Sequence, residues 1–233
     1  MGLEVIIRDL FADKIEKLDI KCAKCDFWFD YNNKSLLEDL SFVKNISEIK
    51  DLLKRKLFEK DYSKATRKKL AVFKNKGGIV KGAFKDRKCV GIIFAGDYSL
   101  FPKLKSFKVF PPDPESIFLG CIYVEPVQRD MGTEKRLLLE LEKDLLIKKA
   151  VSIETIAKRL NDDIDENEFE NSPLISFKFL INNGFYLKKN DECYPLLRLD
   201  LQSIAKDFVK EKLTLEKLAY KKAARSPVII KQK

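Results

Sequence analysis

Residues 121–142, CIYVEPVQRDMGTEKRLLLELE, decide the fold. Ile117 to Val124 is an apolar run that reads as a strand and stops at Glu125-Pro126, where proline withdraws a backbone donor. From Glu134 to Lys149 the leucines 137, 138, 141 and 145 fall on one face, which predicts an amphipathic helix. Between strand and helix lies only a short turn carrying Arg129 and Gly132. A strand that passes through a tight turn into a helix leaves several N–H groups unpaired at the positive end of the helix dipole. A pyrophosphate is a natural ligand there, with Arg129, Lys135 and Arg136 adding charge. The bland alternative is that Gly132 shapes an ordinary strand-to-helix turn.

Outward from this segment, Ile79–Phe84 and Cys89–Ala95 read as a hairpin joined by KDRK, behind the breaker pair Gly77-Gly78. Upstream, Leu3–Ile7 is a strand candidate, and Ala12–Leu18, Ile49–Leu57 and Ala65–Phe73 have helical polarity. Downstream, Val151–Ala157 is the next strand, followed by the acidic stretch NDDIDENEFEN. Pro173 fits the first turn of a helix running to about Asn183 and capped by Gly184, with Phe185–Leu187 and Tyr194–Leu199 as closing strands. The fold class is therefore mixed α/β: a central sheet, partly antiparallel and partly parallel, with flanking helices. Residues 1–200 form one domain, and 201–233 add a basic helix and tail.

The turn resembles the acetyl-CoA signature of the GNAT superfamily of N-acetyltransferases, Gln/Arg-x-x-Gly-x-Gly/Ala. Arg129 takes its first position and Gly132 its fourth, while Glu134 stands where the family has Gly or Ala. The hairpin KDRKCVGIIFAGD looks like the family's second and third strands, and IYVEP like its fourth, which splays from the fifth. FKFLINNGFYL resembles the later helix-to-strand motif ending in Asn-Gly-Phe, so the resemblance covers about residues 79–200. CAKCDFWF and YPLLRLDL further resemble a branch with an N-terminal Cys-x-x-Cys plus aromatics and a Tyr-Pro-Leu closing strand. The resemblance implies an acyl-CoA-dependent N-acyltransferase, with acetyl-CoA as cofactor, acting on an amine of a small molecule or peptide by direct transfer. It implies cofactor contacts from Ile122, Tyr123, Val124, Arg129, Asp130, Met131, Gly132, Thr133, Glu134 and Lys135. A catalytically weak or inactive module of the same fold, binding CoA or a protein, is the second reading. A carboxylate at Glu134 can repel phosphates or point outward.

Such a reaction needs a base for the ammonium proton and an acid for the thiolate. The family's fourth-strand Glu points to Glu115 at the start of that strand or Glu125 at its end; either can equally be a solvated carboxylate. Leu180 occupies the place of the tyrosine acid used by many relatives, which leaves Tyr194 and Tyr186 as substitutes or as packing aromatics. Cys22, Cys25 and Trp28 fall where the fold borders its acceptor site. The two cysteines read as structural thiols, as a redox or ligand-contact pair, or as half of a zinc site. Nothing is spaced to supply the other two zinc ligands, so no metal is expected. Trp28 and its Phe neighbours either line an acceptor pocket or pack in the core.

Composition sets the outer bounds. The chain has 233 residues, 45% of them apolar, enough for a sizeable core. It has no histidine, which excludes Ser-His and Cys-His nucleophilic systems. Its five cysteines do not suggest a disulfide framework. The apolar runs are too short for a membrane span, and the N-terminus lacks a signal-peptide core, so a cytoplasmic protein is expected. Of the net charge of +10, residues 201–233 hold nine Lys/Arg and three Asp/Glu, or +6. The mildly basic remainder points away from nucleic acid. Ile204, Phe208, Leu215 and Leu218 form an apolar stripe that must bury against the domain or a second subunit, which makes a homodimer one expectation.

Overall fold

Asp86 and Arg87 both take left-handed backbone (φ 50° and 67°), and they close a two-residue turn between antiparallel strands β2 (Ile79–Lys85) and β3 (Lys88–Gly96). Two consecutive positive φ values match the right-handed twist of the flanking strands. This computed structural model describes residues 5–29, 69–129, 131–159 and 172–202. The expected helix at Ile49–Leu57, the acidic stretch 161–171, Asp130 and residues 203–233 lie outside the described residues.

The hairpin sits inside a sheet ordered β1-β2-β3-β4-β5-β8-β7, with β6 added beside β5. The remaining strands are β1 (Ile6–Asp9), β4 (Ser116–Val124), β5 (Ser152–Lys158), β6 (Ile175–Ser176), β7 (Tyr186–Lys189) and β8 (Leu196–Asp200). Pairing is parallel where β5 meets β4 and β6, and antiparallel elsewhere. The fold class is mixed α/β. The first strand starts later than the apolar run Leu3–Ile7 suggests. Its register sets Asp9 opposite Lys81, whose buried ammonium bonds Asp9 at 3.1 Å and Asp144 at 2.6 Å.

Two cores flank the sheet. Helix α1 (Ala12–Ile15), the helical residues 69–75 (α2) and the aromatics Trp28, Phe101 and Phe118 cover one face. On the other face helix α3 (Thr133–Ile147) lays down Leu137, Leu138, Leu141 and Leu145, the four leucines of the sequence pattern. A short helix α4 (Phe177–Asn182) ends as expected at Gly184, with Phe185 N–H returning to the Leu180 carbonyl at 3.1 Å. Pro173, however, does not open that helix. Residues 175–176 are captured as a parallel strand by Ala157 and Lys158, so the helix starts only at Phe177. Residues 201 and 202 are helical, the first two of the expected C-terminal helix. None of the described helices is long and apolar enough to cross a membrane.

Strand β4 pairs with β5 at Ser116, Ile117 and Phe118 and at no residue beyond. The cause is local. Between Phe94 and Ala95 the register with β3 shifts, which leaves Gly120 as an extra residue on β4. No other residue fits that bulge, because a Cβ on Gly120 would lie 2.5 Å from the Phe101 ring and 2.6 Å from that of Phe94. Past the bulge β4 turns away from β5, and β5 takes β6 as its neighbour instead.

Candidate active site

The gap between the diverging strands is a cleft of about 520 Å³. Its walls bring together three separate stretches of chain. Strand β4 gives Cys121 to Val124, the N-terminal segment gives Lys21, Cys22 and Cys25 to Phe27, and Ser172 to Ser176 close the far side. Arg129 and Glu134 stand at the end where helix α3 begins.

Hydrogen-bond parity determines which β4 groups face the cleft. Glu125 N–H donates to the Val90 carbonyl at 2.9 Å, and Tyr123 and Cys121 stand opposite Ile92 and Phe94. In an antiparallel ladder the bonded residues alternate, so the odd positions serve β3. Ile122 and Val124 direct their N–H and C=O groups to the side that β5 has left. The Val124 carbonyl accepts from Arg129 Nε at 3.4 Å, which draws that guanidinium toward the end of the strand.

At the head of α3, Gly132 is the cap, with φ 74° and open space where a Cβ would be. Thr133 is buried, while Met131 and Lys135 are exposed. Glu134 contributes to the cleft wall.

Cys22 and Cys25 both line the cleft, and Cys22 meets a third cysteine. Cys22 Sγ lies 3.7 Å from Cys121 Sγ, and Cys121 Sγ is 3.7 Å from the Pro173 carbonyl. The contact with Cys121 and burial hold the Cys22 thiol well above its ordinary range, and burial raises Cys25 to about 11. Both are therefore protonated near neutral pH and poor nucleophiles. Among the described residues no group of three or more Cys, Asp or Glu is placed to hold a metal ion.

Tyr123 lines the cleft, and its hydroxyl donates to Glu125 Oε2 at 3.2 Å. Burial, reinforced by Glu125, pushes the phenol up to about 12. Glu125 thus reaches the cleft through Tyr123. Glu115 does not reach it. It precedes the far end of β4, roughly 26 Å from Val124 along a nine-residue strand, and its N–H is tied to Asp113 Oδ1 at 3.1 Å. Trp28 is corrected too. Its indole is 2% exposed and packs against Phe101, Phe107 and Phe118, so it belongs to the core rather than to a substrate wall. The neighbouring Phe27 lines the cleft instead.

A second cavity of about 480 Å³ adjoins the first, and Phe27, Ser172, Pro173 and Leu174 wall both. Tyr194 faces this second cavity, edge-on to Phe107 at 5.7 Å. Phe27 is one of the Phe neighbours expected beside Trp28 as a pocket wall. Sequence reading missed residues 172–176, which were assigned to a helix on the strength of Pro173. It also missed Cys121, which the two-residue period places on the same face as Tyr123.

No family model and no curated protein matches the sequence. Solved acetyltransferases, GNAT-family structures among them, are similar in structure. PaiA N-acetyltransferase from Thermoplasma acidophilum, in complex with coenzyme A, is 18% identical with a TM-score of 0.49, over 85% of this chain and 99% of that one. An acetyltransferase of the GNAT family from Staphylococcus aureus Mu50 is 15% identical with a TM-score of 0.43, over the same shares. Aminoglycoside 6'-acetyltransferase type Ii is 18% identical with a TM-score of 0.42, over 69% of this chain and 94% of that one.

Proposed function

We propose that the chain is an acyl-CoA-dependent N-acyltransferase that uses acetyl-CoA and transfers the acyl group directly to an amine. The observation that carries this reading is the parting of β4 from β5 after Phe118, in line with the N-terminus of α3. An amide-bearing pantetheine arm can add to the edge of β4 as a short strand would, bonding the backbone of Ile122 and Val124. The pyrophosphate then meets the first N–H groups of α3, the open space over Gly132 and the Arg129 guanidinium.

The thioester carbonyl falls near Cys121 and Tyr123. An amine attacks it, the carbon–sulfur bond breaks, and CoA leaves as thiolate or thiol. The amine must lose a proton, and the Tyr123 phenol with Glu125 behind it is a path for that proton. Glu125→Gln should lower kcat at least tenfold while leaving the CoA dissociation constant unchanged.

Glu134 on the cleft wall and the fully buried Leu180 in the place of an acid favour a second reading, a CoA-binding module without turnover. Calorimetric titration with acetyl-CoA and CoA, followed by thiol release over an amine panel, separates the two. Binding with turnover supports the enzyme, and binding without turnover supports the module. No binding of either nucleotide sinks both.

A further inference from the structure

The second cavity has a chemistry of its own. Its apolar walls are the rings of Phe27, Phe107 and Tyr194, with Pro173 and Leu174 between them, and such flat surfaces suit a planar apolar group. Among the described residues one charged side chain lines it, Lys103, whose ammonium stands 5.8 Å from the centroid of the Phe27 ring. No carboxylate of the described residues pairs with that ammonium. Its backbone is fixed on both sides, since Lys103 N–H donates to the Trp28 carbonyl at 3.3 Å and Ser106 Oγ to the Lys103 carbonyl at 2.8 Å. A cation over an aromatic wall, carried on a held backbone, is complementary to an anion attached to a ring, and it repels a polycation.

Position supplies the rest. Because Phe27 and residues 172–174 wall both cavities, a molecule seated in the second presents one end at the junction with the first. A volume of about 480 Å³ lies within the range of small-molecule sites. We propose that this cavity is the acceptor subsite and that the acceptor is a small aromatic amino carboxylate. Its ring lies among Phe27, Phe107 and Tyr194, its carboxylate meets Lys103, and its amine faces the thioester. The proposal rests on the reading of the first cavity as the acyl-CoA site.

Trp28 reports on this cavity directly. It is the chain's one tryptophan, and its ring centroid lies 5.1 Å from that of Phe27 and 5.9 Å from that of Phe107. Its fluorescence can be titrated on the full chain, with and without CoA. The ligands are phenylalanine and 4-aminobenzoate, phenethylamine as a ring without the acid, alanine as the acid without a ring, and spermidine as a polycation. The expected result is that one of the aromatic amino carboxylates binds at least tenfold more tightly than the other classes. Lys103→Met should remove that advantage over phenethylamine, Phe107→Ala should weaken both aromatic classes, and neither variant should alter CoA affinity. Equal binding of phenethylamine and the amino carboxylates, an advantage that survives Lys103→Met, or preferred binding of spermidine overturns the proposal. If CoA itself does not bind, the reading of the first cavity falls. The titration without CoA still decides the chemistry of the second.

Discussion

The Trp28 indole donates to the Gly120 carbonyl at 2.6 Å, which fastens the N-terminal aromatic segment to the residue where β4 leaves β5. The bond satisfies a carbonyl that β5 no longer reaches, in a setting from which water is excluded. Trp28 therefore holds the cleft open from behind. Trp28→Phe keeps most of the packing but orphans that carbonyl, at a cost of about 1–3 kcal/mol. Denaturant unfolding followed by circular dichroism should show a lower midpoint with the same slope. In the folded variant CoA affinity should also fall severalfold. An unchanged midpoint would show that the bond contributes nothing.

Gly132 separates backbone strain from steric blockage. A Cβ there touches nothing, so substitution should not disturb the packing, yet φ 74° disfavours a branched side chain. Gly132→Val should cost about 1–2 kcal/mol of stability through the left-handed backbone alone. It should also weaken CoA binding by more than tenfold, over about 1.4 kcal/mol. Gly132→Asn, which tolerates that backbone, should recover the stability while still filling part of the phosphate path. Undiminished CoA affinity in a folded Gly132→Val protein would remove the pyrophosphate from this turn.

Because Glu134 lines the cleft, its charge should oppose that of the phosphates. Glu134→Ala is expected to tighten CoA binding several-fold, about 1 kcal/mol, with the gain shrinking as salt is added. Calorimetry at two ionic strengths tests this. A loss of affinity would mean that the carboxylate bonds the ligand rather than repelling it.

How far the sequence could carry these conclusions depends on how local each feature is. The leucine spacing on α3 and the apolar runs and turn residues that mark β2, β3 and β4 are local, and the strands and helix lie within a few residues of their expected ends. The turn with Arg129 and Gly132 was legible for the same reason. The cleft itself was not, since it depends on a bulge at Gly120 whose Cβ space is filled by Phe94 and Phe101, 26 and 19 residues away in sequence. Pro173 misled because a proline marks the start of a helix or of a strand equally well, and the choice lay with the open edge of β5. Cys22 also meets Cys121, a contact across the sheet that spacing along the chain does not report.

Glu142 makes stability depend on pH in an unusual direction. Burial on α3 lifts its carboxyl from the ordinary 4.5 to about 7, partly offset by Lys135. Between those values the folded chain holds a proton that the unfolded chain has lost, so stability falls as pH rises through the window and levels off above about 7. The loss should be of the order of 3 kcal/mol. Glu142→Gln should flatten the pH dependence of the unfolding free energy between about 4.5 and 7 and make the protein more stable at pH 8. Parallel curves for the two proteins would mean that Glu142 titrates normally.

Glu154 is fully buried on β5, and its neighbours leave none of its charge uncompensated. Lys188 bonds it closely, Arg198 Nη1 reaches Oε1 at 3.0 Å, Ser116 Oγ donates to Oε1 at 3.1 Å, and Asp113 N–H donates to Oε2 at 2.9 Å. Arg198 extends the network to Asp113 at 3.0 Å and to Asp200 at 2.6 Å. Burial works against the guanidinium's charge, but its bonds to Asp200 and Glu154 prevail and hold it above its ordinary range. The network ties β5, β7 and β8 to the start of β4, at the opposite end of that strand from the cleft. Removing one member should therefore cost stability and spare the site. Arg198→Met should destabilise by about 3–5 kcal/mol, because it leaves a buried carboxylate short of a partner. Glu154→Leu combined with Arg198→Met should cost less than the sum of the two single changes, since each removes the charge that the other strands. Denaturant unfolding of the four proteins in this cycle measures the coupling. Additive losses would mean that the two side chains do not act as a pair, and CoA affinity lost along with stability would place the network in the site.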